Sequence, residues 1–120
     1  DPVKHVKAVV VDPKLVPLAA ALDPLLMKGM PKAITAATGM DALAHCFEAY
    51  CAPGYHPMAD GVALEGMRLI KEWLPIAVKD GKNLEARSHM MAAATMGAAT
   101  TLHRRIGRIV YSHPSLGRTP

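Results

Sequence analysis

Residues 35–52 read TAATGMDALAHCFEAYCA. This stretch contains no proline, and it is followed at once by Pro53 and Gly54, a pair that ends helices. The sequence therefore predicts one helix over this stretch, beginning at its first residue. Asp41 and His45 are four residues apart in it, so their side chains lie on one face about one turn apart.

Two further helices are predicted after this one. The second follows Pro57 and carries an apolar stripe at helical spacing, which is interrupted before Pro75. The third begins near Asn83, a favourable N-cap residue, and continues through a segment rich in alanine and methionine to about residue 100. The stripe of the second helix consists of Ala63, Met67, Ile70 and Leu74.

The first 34 residues have a different pattern. Residues 4–11, KHVKAVVV, end in a β-branched run and predict one short strand. Four prolines between residues 12 and 34 limit that segment to short helical turns, one of which starts at Asp23. The predicted fold class is mainly α, a bundle-like helical fragment with one N-terminal strand. Its parts are a strand and proline-rich arm over 1–34, a partial helical domain over 35–100 and a basic tail over 101–120.

Composition narrows the function classes. The chain has 120 residues, 51% of them apolar, which is enough for one core. Its net charge of +4 lies entirely after residue 100, in four arginines without a recognisable nucleic-acid-binding module, so we expect no nucleic-acid partner. No signal peptide or apolar run of membrane-spanning length is visible, which predicts a cytoplasmic protein without membrane contact. Cys46 and Cys51 are predicted to stay unpaired and to pack as small apolar groups.

The pair formed by Asp41 and His45 is the candidate metal site. A carboxylate oxygen and an imidazole nitrogen one turn apart can bind the same divalent ion. An exposed surface pair without a metal is the more common explanation of this spacing, because two ligands do not make a site. The remaining histidines are expected to be structural or solvated, and Glu48 is either solvated or a support for the pair.

Two strings around this pair resemble the iron-containing (group III) alcohol dehydrogenases. They are MPKAITAATGMDALAHCFEAY at 30–50 and HPMADGVALEGMRLIKEWLPIAVKDGKNLEARSHMMAAATMG at 56–97. The resemblance implies that Asp41 and His45 are metal ligands of an all-helical domain that holds Fe(II), or in some members zinc. It also implies interconversion of small alcohols and aldehydes with NAD(P). The cofactor would bind a preceding α/β domain, whose glycine-rich loop would precede residue 1.

The chain departs from the family pattern near its end. The family places a third ligand, a histidine, in a segment similar to residues 105–120, RIGRIVYSHPSLGRTP. Alignment on His113 and Pro114 puts Ile109 at that position, and alignment on Gly107 puts Val110 there. One hypothesis is that the tail is the family's segment translated in a shifted reading frame, which sequencing of the coding DNA tests.

These departures set the expectations for the chain itself. Two ligands leave a divalent site open, so we expect weak metal affinity and no measurable turnover by the chain alone. Apolar faces without a covering domain predict low stability or a homo-oligomer. Two alternatives stay open: a relative of glycerol dehydrogenase or dehydroquinate synthase, and a non-catalytic helical module that binds a partner helix through a methionine-rich face.

Overall fold

Three helices form the body of the molecule. The computed structural model describes residues 12–15 and 18–111, with the backbone alone for residue 13 and for residues 102–111. The described part contains no strand, and the strand predicted at 4–11 lies outside it. The helices are preceded by two short 3-10 turns, Pro13–Leu15 and Pro24–Met27, and they are α1 (Lys32–Cys51), α2 (Pro57–Lys79) and α3 (Leu84–Tyr111).

The proline-rich arm forms the short turns that its sequence predicts. Asp23 caps the second turn, because its carboxylate accepts a hydrogen bond from the N–H of Leu25 at 2.9 Å. The arm then reaches Pro31, whose extended backbone has φ of −58° and ψ of 152°. The predicted start of α1 at Thr35 is three residues too late. The helix begins directly after Pro31, whose carbonyl accepts from the N–H of Thr35 at 2.8 Å, because proline is tolerated where no N–H is needed.

The second and third helices start where the sequence predicts, but α3 continues past its predicted end near residue 100 to Tyr111. Asn83 caps α3 through its side-chain oxygen, which accepts from the N–H of Ala86 at 3.0 Å. The expected interruption before Pro75 is wrong, since α2 continues through this residue to Lys79. Ile70 and Ala77, on either side of the proline, are each 1% exposed. Burial on both sides holds the helix together despite the missing N–H, so packing overrides the local preference.

The three helices meet around the side chain of Cys46. This residue is fully buried, and its thiol faces the carbonyl oxygen of Ala93 on α3 at 3.7 Å. A Cβ atom added to Gly66 of α2 would lie 2.7 Å from the sulfur, and one added to Gly97 of α3 would lie 3.1 Å from it. The thiol therefore occupies space that exists only because both neighbouring helices carry a glycine at the contact.

The two cysteines differ in environment. Both are free thiols, as predicted. The expectation that both pack as apolar groups is confirmed for Cys46 and wrong for Cys51, which is exposed in the last turn of α1. Burial raises the pKa of the Cys46 thiol above its ordinary value, because the thiolate would lose its hydration.

The surface keeps several large apolar side chains in water. On α1, Met40 and Phe47 are 55% and 56% exposed, and Met58 at the start of α2 is 80% exposed. Self-association through such side chains stays a prediction. Among the described helices, none combines the length and the hydropathy that a bilayer crossing requires.

Two alanine substitutions in α2 test the contact at Cys46. Gly66→Ala forces a methyl group against the thiol, so we expect a loss of about 1–3 kcal/mol in the free energy of unfolding. Gly61→Ala is the matched control, because nothing lies within 4 Å of its added Cβ and alanine favours the helix. It should stabilise the chain by up to about 1 kcal/mol in urea unfolding followed by circular dichroism. Equal effects of both substitutions would contradict the tight contact.

The buried thiol also predicts a pH dependence of stability. The folded chain holds the Cys46 proton more tightly than the unfolded chain, because the pKa of this thiol is raised on folding. Its contribution is complete below the ordinary thiol pKa and is lost as the pH rises through the folded pKa. Urea unfolding at about pH 7.5 and about pH 10 should show a loss of stability that is smaller in Cys46→Ala and unchanged in Cys51→Ala. If the wild type, Cys46→Ala and Cys51→Ala all lose the same amount of stability, groups other than the Cys46 thiol cause the loss.

Candidate metal centre

The two predicted ligands lie side by side on the surface of α1. His45 Nε2 is 3.5 Å from Asp41 Oδ2, and the side chains are 53% and 74% exposed, respectively. One helical turn separates them, as the sequence predicts. Both groups are open to solvent, so their donor atoms are accessible to an ion.

The distance within the pair suits a shared ion. Two ligand atoms at about 2.1 Å from a tetrahedral divalent ion lie about 3.4 Å from each other. The observed 3.5 Å is close to that value. It is longer than the roughly 2.7–3.2 Å of a well-formed N–H···O hydrogen bond. A carboxylate oxygen and an imidazole nitrogen also match the ligand types that zinc and ferrous ions accept, so this pair fits two positions of such a site.

Packing against α3 fixes the backbone below the imidazole. A Cβ atom added to Gly97 would lie 3.1 Å from the Cβ of His45 and 3.4 Å from the carbonyl oxygen of Ala42. The two helices therefore approach closely at the residue that carries the predicted nitrogen ligand. The glycine sets the position of His45 while the imidazole stays on the surface.

A buried arginine, which the sequence analysis missed, holds the start of α1. Arg87 of α3 is 3% exposed and donates from Nη1 to the hydroxyl of Thr35 at 2.8 Å. Its Nη2 donates to the carbonyl of Met30 at 3.3 Å, and its Nε donates to the carbonyl of Gly81 at 3.2 Å. No carboxylate pairs with it among the described residues. The only sequence signal was its position three residues before Met90, which places it towards the interior face of α3.

The other histidines with described side chains serve the fold, as expected. His56 caps α2, because its Nδ1 accepts from the N–H of Ala59 at 3.2 Å. His89 stacks on Trp73, with 4.3 Å between the ring centroids. Within 18–101, where side chains are described, no group of three or more His, Cys, Asp or Glu residues is arranged to hold a metal. The described part therefore supplies the pair on α1 and no third ligand of these types beside it.

Comparisons with known proteins identify the family. A family model described as Fe-containing alcohol dehydrogenase family, C-terminal, matches residues 35–109. The NAD-dependent methanol dehydrogenase of Bacillus methanolicus is 42% identical over 109 residues, which are 91% of this chain and 29% of that protein. Alcohol dehydrogenase 4 of Saccharomyces cerevisiae is 41% identical over 106 residues, covering 88% and 28% of the two chains. The 1,3-propanediol dehydrogenase of Klebsiella pneumoniae is 41% identical over 104 residues, covering 87% and 27%. No solved structure gives a significant match.

The three relatives are dehydrogenases, and the matched region of this chain is helical in its described part. The chain belongs to the iron-containing alcohol dehydrogenase family and corresponds to its C-terminal, helical part. It spans less than a third of the length of the relatives named above, at 29%, 28% and 27%. The family match includes Asp41 and His45 and extends to residue 109, within the segment predicted as a basic tail.

A pair of threonine substitutions tests the role of the buried arginine. Thr35→Val keeps the shape of the side chain but removes the oxygen that accepts from Arg87, which leaves a buried charged donor unpaired. We expect a loss of about 1–3 kcal/mol in the free energy of unfolding. Thr38→Val is the control, because this exposed hydroxyl donates only to helix carbonyls, and it should change stability by less than about 0.5 kcal/mol. If Thr35→Val and Thr38→Val have similar small effects on stability, the hydrogen bond from Arg87 does not stabilise the start of α1.

Proposed function

We propose that this chain forms the metal-binding part of an oxidoreductase that interconverts alcohols and aldehydes with NAD(P). The observation that carries the proposal is the pair of Asp41 and His45, 3.5 Å apart within the segment that the family model matches. The names of the relatives support the same chemistry, since they are dehydrogenases of methanol, 1,3-propanediol and other alcohols. The chain's residues hold the ion, and no residue of this chain is assigned to the nicotinamide cofactor.

The proposed metal is Fe(II), with zinc as the substitute that the same ligands accept. A divalent ion supplies Lewis acidity toward an alcohol or aldehyde oxygen when it is bound. Asp41 contributes a negative charge to the site, and His45 contributes a neutral nitrogen donor. Because the imidazole must lose its proton to serve as a ligand, acid competes with the metal at this position.

The structure explains how this chain orients the pair. Gly97 brings α3 against the backbone of His45, and Arg87 ties the beginning of α1 to the loop before α3. A helix fixed at two points keeps both side chains on one face at ligand spacing. Since both groups are exposed, they are accessible to a substrate oxygen and to further ligands from elsewhere in the protein.

The comparisons favour this function over the other candidates from the sequence. The match is to the Fe-containing alcohol dehydrogenase family, and the named relatives act on alcohols. This supports an alcohol dehydrogenase rather than a relative of glycerol dehydrogenase or dehydroquinate synthase. The other alternative is a non-catalytic helical module, and the metal titration described next distinguishes it from a dehydrogenase.

The test is a metal titration of the full chain under anaerobic conditions. Fe(II) and Zn(II) are added to wild type, Asp41→Ala and His45→Ala, and binding is followed by calorimetry. Each substitution removes one of the two ligands on α1, so we expect affinity to fall by about tenfold or more.

Glu85→Ala is the matched control for the titration. Glu85 is exposed in the first turn of α3, about 18 Å along that helix from Gly97, the residue that faces His45, and its replacement changes the net charge as Asp41→Ala does. The control should bind metal as the wild type does within about twofold, since general attraction of cations is weak at this distance in salt. Equal affinity in the wild type and in both ligand variants would contradict the proposed site and favour the non-catalytic module.

A further inference from the structure

A cavity of about 120 Å³ lies between the arm and all three helices. Four methionines form much of its wall, Met27 and Met30 from the arm and Met90 and Met91 from α3. Leu74 of α2 and small residues of α1 complete the lining. The cavity is partly open to solvent, so a molecule can enter it without unfolding of the bundle.

The lining selects for uncharged molecules. Nearly all of the surface that faces the cavity is apolar. Arg87 and Thr35 also border the cavity, but their polar atoms are engaged with each other and with main-chain oxygens. A water molecule needs two to four polar partners to be held in such a space, and the lining offers few. An apolar molecule needs none.

The size of the cavity and its methionine side chains indicate which kind of ligand fits. Dry apolar cavities of about 150 Å³ bind benzene or xenon, and this cavity is slightly smaller. Methionine side chains are unbranched and flexible, so the wall can adapt to a ligand of somewhat different shape. The thioether sulfur also makes favourable contacts with aromatic rings.

We propose that this cavity is a binding site for small uncharged apolar molecules, of about the size of benzene. The site is separate from the candidate metal centre. It borders α1 through small residues that include Thr38, Gly39 and Ala42, and neither member of the metal pair lines it. The proposal does not depend on metal binding or on dehydrogenase activity.

Benzene is the probe, and the methionine methyl groups supply the direct readout. The chain has eight methionines, and each gives one methyl signal in a ¹H–¹³C NMR spectrum of methyl-labelled protein. The ring current of bound benzene should shift the signals of Met27, Met30, Met90 and Met91, with saturation as benzene is added. The exposed Met40 and Met58 do not line the cavity and serve as internal controls. Signals are assigned by replacing one methionine at a time with leucine.

Two alanine substitutions on α3 supply the matched variants. Ala94 lines the cavity, so Ala94→Leu should fill part of it and abolish the saturable shifts. Ala98, one turn further along α3, is exposed and does not line the cavity, so Ala98→Leu should leave them unchanged. In the wild type and in Ala98→Leu, saturating benzene should raise Tm by about 2 °C or more, because it binds the folded chain.

Four results would overturn the proposal. They are the absence of saturable shifts in the wild type, shifts of the same size at Met40 and Met58, unchanged binding in Ala94→Leu, and a larger effect of benzoate than of benzene. The second result would mean adsorption to exposed apolar surface. The last would mean that the guanidinium of Arg87 recruits an anion and that the site does not select uncharged molecules.

Discussion

The sulfur of Cys46 sets how closely the three helices can pack. It lies between two glycines, Gly66 on α2 and Gly97 on α3, where an added Cβ atom would approach it to 2.7 Å and 3.1 Å. Buried alanines occur on all three helices, and Ala42 and Ala93 pack in the same core cluster as Cys46. With few large side chains fully buried, stability depends on close contact between helix backbones, and close contact depends on those glycines. The same closeness brings α3 against the backbone of His45.

Arg87 imposes the second constraint, at the other end of α1. It is a buried cation held by neutral oxygens from the arm, from α1 and from the loop before α3. Hydrogen bonds to a charged donor are stronger than those between neutral groups, and leaving that donor unpaired in the interior is costly. One side chain thereby connects the start of α3 with the junction of the arm and α1, which is 52 to 57 residues earlier in the sequence. The candidate metal centre lies on a helix whose start and middle are both fixed, although its own side chains are exposed.

The candidate centre and the cavity are formed by different residues of the same helix. Asp41 and His45 present charge and a nitrogen donor to water, where an ion and further ligands can approach. Gly39 and Ala42 turn towards an apolar space bordered by methionines. No residue belongs to both sites, so each site can be tested with its own variants.

Local sequence patterns alone predict the three helices, the short turns of the arm, the cap at Asn83, and the one-turn spacing that places Asp41 beside His45. These follow from interactions within a few residues, so local patterns are sufficient to predict them. Packing between distant segments lets α2 continue through Pro75, buries Cys46 but not Cys51, and places Arg87 in the interior. Each of these features depends on contacts between residues that are distant in sequence. The proline is held by burial on both sides, the thiol by two facing glycines, and the arginine by oxygens of other segments. None of these contacts is visible in the local sequence.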